Sequence, residues 1–168
     1  LRDAMLYASG NLDTRRPRGS IVTGSGRLNQ DQFNEDDGYR SVYLPVVRDA
    51  LPESLALFDA ADPSIVTGER EETSVPGQAL YLMNNPFVIE QSEALAKRLL
   101  AEESTSQARF ERAFQLCYGR SATKAEITAT RGFFSRFVLA DASGKDHRLA
   151  FTTFCQSLFA SAEFRYLN

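Results

Sequence analysis

The sequence predicts a mainly α-helical fold, an irregular helical bundle with a long loop-rich N-terminal region. Two observations support this fold class. The chain has 168 residues, of which 43% are hydrophobic and 12 are phenylalanine, so it can form one core but is short for two domains. Apolar side chains in the C-terminal half recur at spacings of three and four residues, which place them on one helical face. We therefore expect a single helical domain over residues 1–168, with a helical core at 76–164.

The N-terminal region begins with a helix and continues as a loop. Leu1, Met5 and Ala8 lie on one helical face, and Gly10 is expected to end the helix as a left-handed C-cap. Because this pattern is already present at residue 1, we expect the chain to be the C-terminal part of a larger protein. Residues 11–40 are rich in glycine and poor in apolar residues, which predicts a loop-rich segment.

The next stretch is predicted to be extended at first and then irregular. Val42, Tyr43 and Val46 favour a strand, whereas Pro45 cannot donate a ladder hydrogen bond. At most one short extended or edge strand is therefore expected, near residues 41–48. A short helical turn is predicted at residues 53–58.

The helices after residue 76 have clearer boundaries. A short helix is predicted at residues 76–84. Asn85 has the position of an N-cap and precedes Pro86 at the first helical position, which opens a helix to about residue 102. Ser104 and Gln107 have capping-box spacing and predict the start of another helix, which ends at Gly119.

Two further helices complete the predicted bundle. Thr123 and Glu126 repeat the capping-box spacing and open the first of them. The last helix is expected to begin near Asp146 and to turn Phe151, Cys155 and Ala162 inward. Short connections between these helices favour antiparallel neighbours.

Composition and motifs exclude several kinds of site. A net charge of -3 without a basic stripe argues against a nucleic-acid partner, and no apolar run is long enough for a transmembrane segment. His147 is the only histidine, and Cys117 and Cys155 are far apart in sequence, so no metal site is expected. No nucleotide or haem motif occurs, so no cofactor is expected in this segment. The two cysteines read as buried side chains, and whether they form a disulfide stays open.

Several short motifs together resemble one family. They are R-D-A-M-L-x-A-S-G at Arg2–Gly10, R-S-V-Y-L-P-V-V-R at Arg40–Arg48, L-F-D-x-x-D-P at Leu57–Pro63, T-x-x-R at Thr67–Arg70, T-S-V-P-x-Q-A-L at Thr73–Leu80, M-N-N-P-F-V at Met83–Val88, R-A-F-x-L-x-x-G-R at Arg112–Arg120 and C-Q-S-L-x-x-S-x-E-F at Cys155–Phe164. In these motifs the chain resembles the planctomycete-specific C-terminal domain of unknown function. That domain is found in large planctomycete proteins that often also carry a cytochrome-c-like module. The resemblance implies an exported, periplasmic or cell-envelope location and supplies no activity.

The candidate binding residues are polar side chains within these motifs or close to them: Arg48, Asp59, Asp62, Arg70, Thr73, Gln78 and Asn84. Two interpretations stay open. In the first, arginine–carboxylate pairs and side-chain amides attach an irregular segment to the helical core. In the second, Arg48 and Arg70 bind an anionic glycan, while Asp59 and Asp62 bind sugar hydroxyls or act as acid and base.

Three functions follow from these interpretations. The preferred one is a noncatalytic helical interaction or scaffold module, which packs against upstream regions of its own chain or a partner protein. The alternative is a glycan-binding or glycan-hydrolysing enzyme segment that uses the arginine and aspartate cluster. A weaker alternative, by analogy alone, is an accessory to a cytochrome-c-like electron-transfer module. Because no catalytic motif is present, an enzymatic role for this segment alone is disfavoured, and no catalytic residue is assigned.

Overall fold

The helical class predicted from the sequence is confirmed by a computed structural model, which describes residues 1–16, 38–44, 52–58, 60, 75–140 and 147–166. The α-helices are α1 (Arg2–Ser9), α2 (Glu53–Leu57), α3 (Val75–Asn84), α4 (Pro86–Glu102), α5 (Ser106–Tyr118), α6 (Lys124–Ala140), α7 (His147–Phe159) and α8 (Ala162–Arg165). A 3₁₀ helix covers Ser41–Tyr43. Within the described ranges there is no strand, only an isolated bridge between Asp13 and Tyr39.

The core lies around α4 and α7, which pack against each other. Helix α1 packs on α4, and both α5 and α6 pack against α7. Phenylalanines from α5, α6 and α7 contact one another within it. The Phe134 ring centroid lies 4.6 Å from that of Phe151 and 5.1 Å from that of Phe110. Phe151 is fully buried. The apolar spacing predicted for the C-terminal half therefore places these three phenylalanines in the core.

Most predicted helix ends are confirmed. Gly10 and Gly119 have φ angles of 86° and 70°, the left-handed conformation that glycine adopts without a Cβ clash. The Asn85 side chain accepts a hydrogen bond from the Phe87 backbone N–H at 2.8 Å. Thr123 and Glu126 form the predicted reciprocal capping box, with the Glu126 Oε2 accepting from the Thr123 N–H at 2.7 Å.

Two helix boundaries differ from the prediction. The N-cap of α5 is Thr105, not Ser104, and its Oγ1 accepts from the Ala108 N–H at 3.2 Å. Threonine and serine are both good caps, so sequence spacing alone does not choose between neighbours. The last predicted helix is broken after Phe159. Ser161 caps the separate helix α8, and Ala162 is exposed, so the prediction of an inward Ala162 was wrong.

The segment after residue 40 is helical where it was predicted to be extended. The Asp3 carboxylate accepts from the Ser41 backbone N–H at 2.7 Å and from its hydroxyl at 2.5 Å, which holds the start of the 3₁₀ helix against α1. This contact between residues 38 positions apart overrides the local strand preference of Val42 and Tyr43. Residues 45–48 lie outside the described residues.

Candidate interaction surface

The predicted site residues divide into two groups. Five of them lie outside the part of the chain that the structure describes: Arg48, Asp59, Asp62, Arg70 and Thr73. The other two, Gln78 and Asn84, both lie on α3. The helix α3 is therefore the described part of the predicted site.

Gln78 and Asn84 make contacts that support the fold. Gln78 is buried, and its Nε2 donates to the Leu57 carbonyl oxygen at 3.0 Å, which ties α3 to the end of α2. The Asn84 Nδ2 donates to the Leu80 carbonyl oxygen at 3.0 Å, in the last turn of its own helix. The Gln78 contact joins α3 to the end of α2, and the Asn84 contact stays within its own helix.

The outward face of α3 is apolar. None of the ten residues of this helix is charged. Tyr81 and Leu82 pack into the core, while Leu80 and Met83 on the other side are 62% and 63% exposed. Pro76 and Ala79 are also exposed, so the exposed apolar residues recur at spacings of three and four. We call this face, Pro76, Ala79, Leu80 and Met83, the α3 surface.

Contacts from other helices hold the α3 surface in place. The Gln156 Nε2 of α7 donates to the carbonyl oxygens of Leu82 and Met83, at 3.3 and 2.9 Å. These carbonyls belong to the last turn of α3, where the carbonyl groups have no hydrogen-bond donor within the helix. On the inner side, the Phe58 ring meets the Tyr81 ring edge-on with centroids 5.7 Å apart.

A buried arginine joins α1 to the segment just before the 3₁₀ helix. Arg2 is only 4% exposed, its Nη1 donates to the Tyr39 carbonyl oxygen at 2.8 Å, and its guanidinium lies 5.5 Å from the Phe87 ring centroid. Sequence reasoning did not assign a role to Arg2. The available signal was a charged residue on the otherwise inward face of an amphipathic helix, since a buried charge needs partners.

Arg98 and Glu102 on α4 join this helix to α1 and α5. The Arg98 Nη1 donates to the carbonyl oxygens of Tyr7 and Ala8 at the end of α1, at 3.1 and 3.0 Å. Its Nε donates to Glu102 at 2.6 Å, and Arg112 of α5 donates to the other oxygen of Glu102 at 3.1 Å. The hydrogen bond from Arg98 is the main cause that lowers the pKa of Glu102.

Arg120 forms a second cluster, at the junction of α5, α6 and α8. It donates two hydrogen bonds to each of two carboxylates, Glu126 and Glu163. Hydrogen bonds from Arg120 lower the pKa of Glu126 to about 2 and also lower that of Glu163. The guanidinium lies 5.6 Å from the Phe114 ring centroid. Because its donors already face two acids, this arginine is a junction between helices and not an open anion site.

Both cysteines are free thiols; Cys155 is buried in the core, and Cys117 is half-buried against it. Burial raises the pKa of Cys117 to about 12, and it raises the pKa of Cys155 well above its ordinary value. A nucleophilic or metal-binding cysteine needs the opposite shift. Among the described residues, no group of three or more histidine, cysteine or acidic side chains is placed to hold a metal ion. None of the helices in those ranges is long and apolar enough to cross a membrane.

The chain matches the model of a known protein family. The model of a family described as "Protein of unknown function (DUF1553)" matches residues 1–134, which is most of the chain. No curated protein and no solved structure is significantly similar to it.

Proposed function

The chain belongs to the DUF1553 family of proteins of unknown function, and we propose that it is a noncatalytic helical module that binds an amphipathic helix through the α3 surface. The partner helix lies outside residues 1–168, in an upstream region of the same polypeptide or in another protein. One observation carries this proposal: α3 is uncharged and has apolar residues on both faces. A helix of this kind is normally buried on all sides.

The arrangement of the α3 surface favours a helix as the partner. Pro76, Leu80 and Met83 follow each other at spacings of four and three, which forms the kind of ridge that packs into the groove of a second helix. Ala79 lies beside this ridge, and its small side chain permits close approach of another backbone. A glycan anion or a phosphate would meet no positive side chain on α3.

The fixed position of α3 favours binding without rearrangement. Gln156 holds the last turn of the helix and Gln78 holds its inner face. Binding to a surface that is already ordered avoids the entropy cost of ordering it.

The contacts of the polar groups support the noncatalytic part of the proposal. Arg98, Glu102 and Arg120 have partners on neighbouring helices, and burial raises the pKa of the Cys117 and Cys155 thiols. A catalytic acid, base or nucleophile has its pKa shifted toward the working pH and faces a cleft. These described groups have neither property.

The cellular setting is a further part of the proposal. Export to the cell envelope and association with a cytochrome-c-like module rest on the family resemblance of the sequence motifs alone. On this view the module holds parts of a large exported protein together.

The test is site-specific crosslinking in the full-length protein in its native host. A photoreactive residue replaces Met83, and adducts are sequenced by mass spectrometry. We expect an adduct with one segment whose apolar residues recur at spacings of three and four. Leu80→Glu should lower the adduct yield about tenfold, because a carboxylate would be buried against the apolar partner.

Two matched controls accompany this test. A photoreactive residue at Ala129, exposed on α6, should give no specific adduct. Leu149→Glu, on α7 and 49% exposed, should leave the Met83 adduct unchanged. The proposal fails if Met83 reacts no more than Ala129, if the adduct joins two copies of this chain, or if Leu80→Glu has no effect. Glycan binding by the full-length protein that Arg70→Ala abolishes would support the glycan alternative instead.

A further inference from the structure

An open cleft lies where the first turns of α5 and α7 meet the middle of α6. Its volume is about 680 Å³, within the roughly 300–1,000 Å³ of small-molecule sites. Seven residues line it: Ser106, Gln107, Phe110, Arg131, Phe134, Ser135 and His147. The cleft shares no residue with the α3 surface.

The floor of the cleft is aromatic and packed against the core. Phe110 and Phe134 are 3% and 9% exposed, and both rings pack on Phe151 in the core. The His147 ring lies at the rim, 5.0 Å from the Phe151 centroid, and continues the aromatic cluster toward solvent. Such a floor suits a flat apolar group.

The rim of the cleft is positive. Arg131 is exposed, and its Nη2 donates to the Gln107 Oε1 at 2.7 Å, which holds the guanidinium at the mouth. Its other donors have no partner among the described residues. The first residues of α5 and α7 are Ser106 and His147, so the positive ends of two helix dipoles also lie here.

Charge separates this cleft from a second one of similar size. The second cleft, about 650 Å³, runs along the outer side of α5 and is lined by two carboxylates, Glu103 and Glu111, as well as Arg112. No carboxylate among the described residues lines the first cleft. The two differ in the sign of charge they offer and not in their volume.

We propose that the cleft between α5, α6 and α7 binds a small organic anion with a flat apolar body, such as an aromatic carboxylate. Arg131 pairs with the anionic group, and Phe110 and Phe134 contact the flat body. A guanidinium suits this role because its planar donors can hold both oxygens of a carboxylate.

The experiment is an NMR titration of the full chain with naphthoate and with its neutral analogue naphthamide. We expect naphthoate to bind about tenfold more tightly, with shifts at Phe110 and Phe134. Arg131→Gln should weaken naphthoate about tenfold and leave naphthamide unchanged. The control is Arg136→Gln, an exposed arginine of the same helix whose Nε donates to the Gly132 carbonyl oxygen, and it should change neither affinity.

Several results would overturn this inference. They are equal affinity for the two probes, unchanged naphthoate binding in Arg131→Gln, an equal loss in Arg136→Gln, and the absence of saturable naphthoate binding. Shifts centred on the second cleft, at Glu103 and Glu111, would also overturn it.

Discussion

The Arg120 guanidinium and the Glu163 carboxylate form a bidentate ion pair, in which Nε donates to Oε1 at 2.6 Å and Nη2 donates to Oε2 at 2.7 Å. The two residues are 43 positions apart in sequence. Arg120 follows the end of α5, and Glu163 lies on the short helix α8. The pair therefore attaches a four-residue helix, too short to be stable alone, to the bundle.

We predict that Glu163→Gln lowers the melting temperature by about 1–3 °C, because the pair is partly exposed and screened by solvent. In an Arg120→Leu background the same substitution should have a smaller effect. Thermal unfolding of the four variants of this double-mutant cycle measures the coupling. Glu90→Gln is the control, since Glu90 is exposed and has no ion pair among the described residues. If the double variant loses as much melting temperature as the two single variants together, the prediction is contradicted.

The pH dependence of stability should follow Glu126. Its pKa is lowered from 4.5 to about 2 by Arg120, so folding favours the ionised form. The stability that the ionised Glu126 contributes is present above about pH 4.5 and is lost as the pH falls toward 2. Urea unfolding at about pH 6 and about pH 3 measures this loss. At the higher pH, Glu126→Gln should be less stable than the wild-type protein. It should also lose less stability than the wild type between the two pH values. If its stability falls with pH as steeply as that of the wild type, Glu126 is not the group responsible.

Substitution by alanine is expected to have opposite effects at two glycines. Gly119 has a φ of 70°, and Gly132 lies inside α6 with ordinary helical φ. Apart from the adjoining backbone, an added Cβ meets no atom within 4 Å at either position, so the backbone conformation distinguishes them. We expect Gly119→Ala to destabilise the fold by about 1–2 kcal/mol and Gly132→Ala to stabilise it by about 0.5–1 kcal/mol. Chemical denaturation measures both, and effects of the same sign would contradict this explanation.

The cysteines should resist thiol reagents in the folded protein. A rise in the pKa of Cys117 from 9.0 to about 12 leaves about a thousandfold less thiolate near neutral pH. Cys155 is closed to solvent, whereas Cys117 is half-buried. Iodoacetamide labelling should therefore proceed through unfolding, with a rate that rises steeply with urea concentration. Fast labelling of either thiol without urea would show that the core opens locally.

Local chemistry predicted the C-terminal helices well because each end depends on neighbouring residues. Asn85, Gly119 and the pair Thr123 and Glu126 act within one helical turn, so their roles can be read from spacing. The choice of Thr105 over Ser104 was missed because both have a capping hydroxyl. The 3₁₀ helix at Ser41–Tyr43 was missed because its stabilising partner, Asp3, is distant in sequence.

The candidate site was less predictable than the fold. Gln78 and Asn84 were selected as polar residues in a family motif, and the structure assigns both to backbone contacts. The α3 surface was not predicted, because apolar residues on both sides of a helix look like core until the packing is known. The cleft beside Arg131 depends on three helices and has no local signature.

By itself the sequence determined the helical class, most of the C-terminal helix boundaries and the apolar core of the C-terminal half, since these follow from spacing, capping and hydrophobic burial along one chain. Only the tertiary structure decided which apolar face of α3 is exposed, which acids pair with Arg120, and where an open cleft remains. Each of these features depends on the packing of several helices that are distant in sequence. Pairing and exposure depend on distances of a few ångströms between them, and no local pattern encodes such distances.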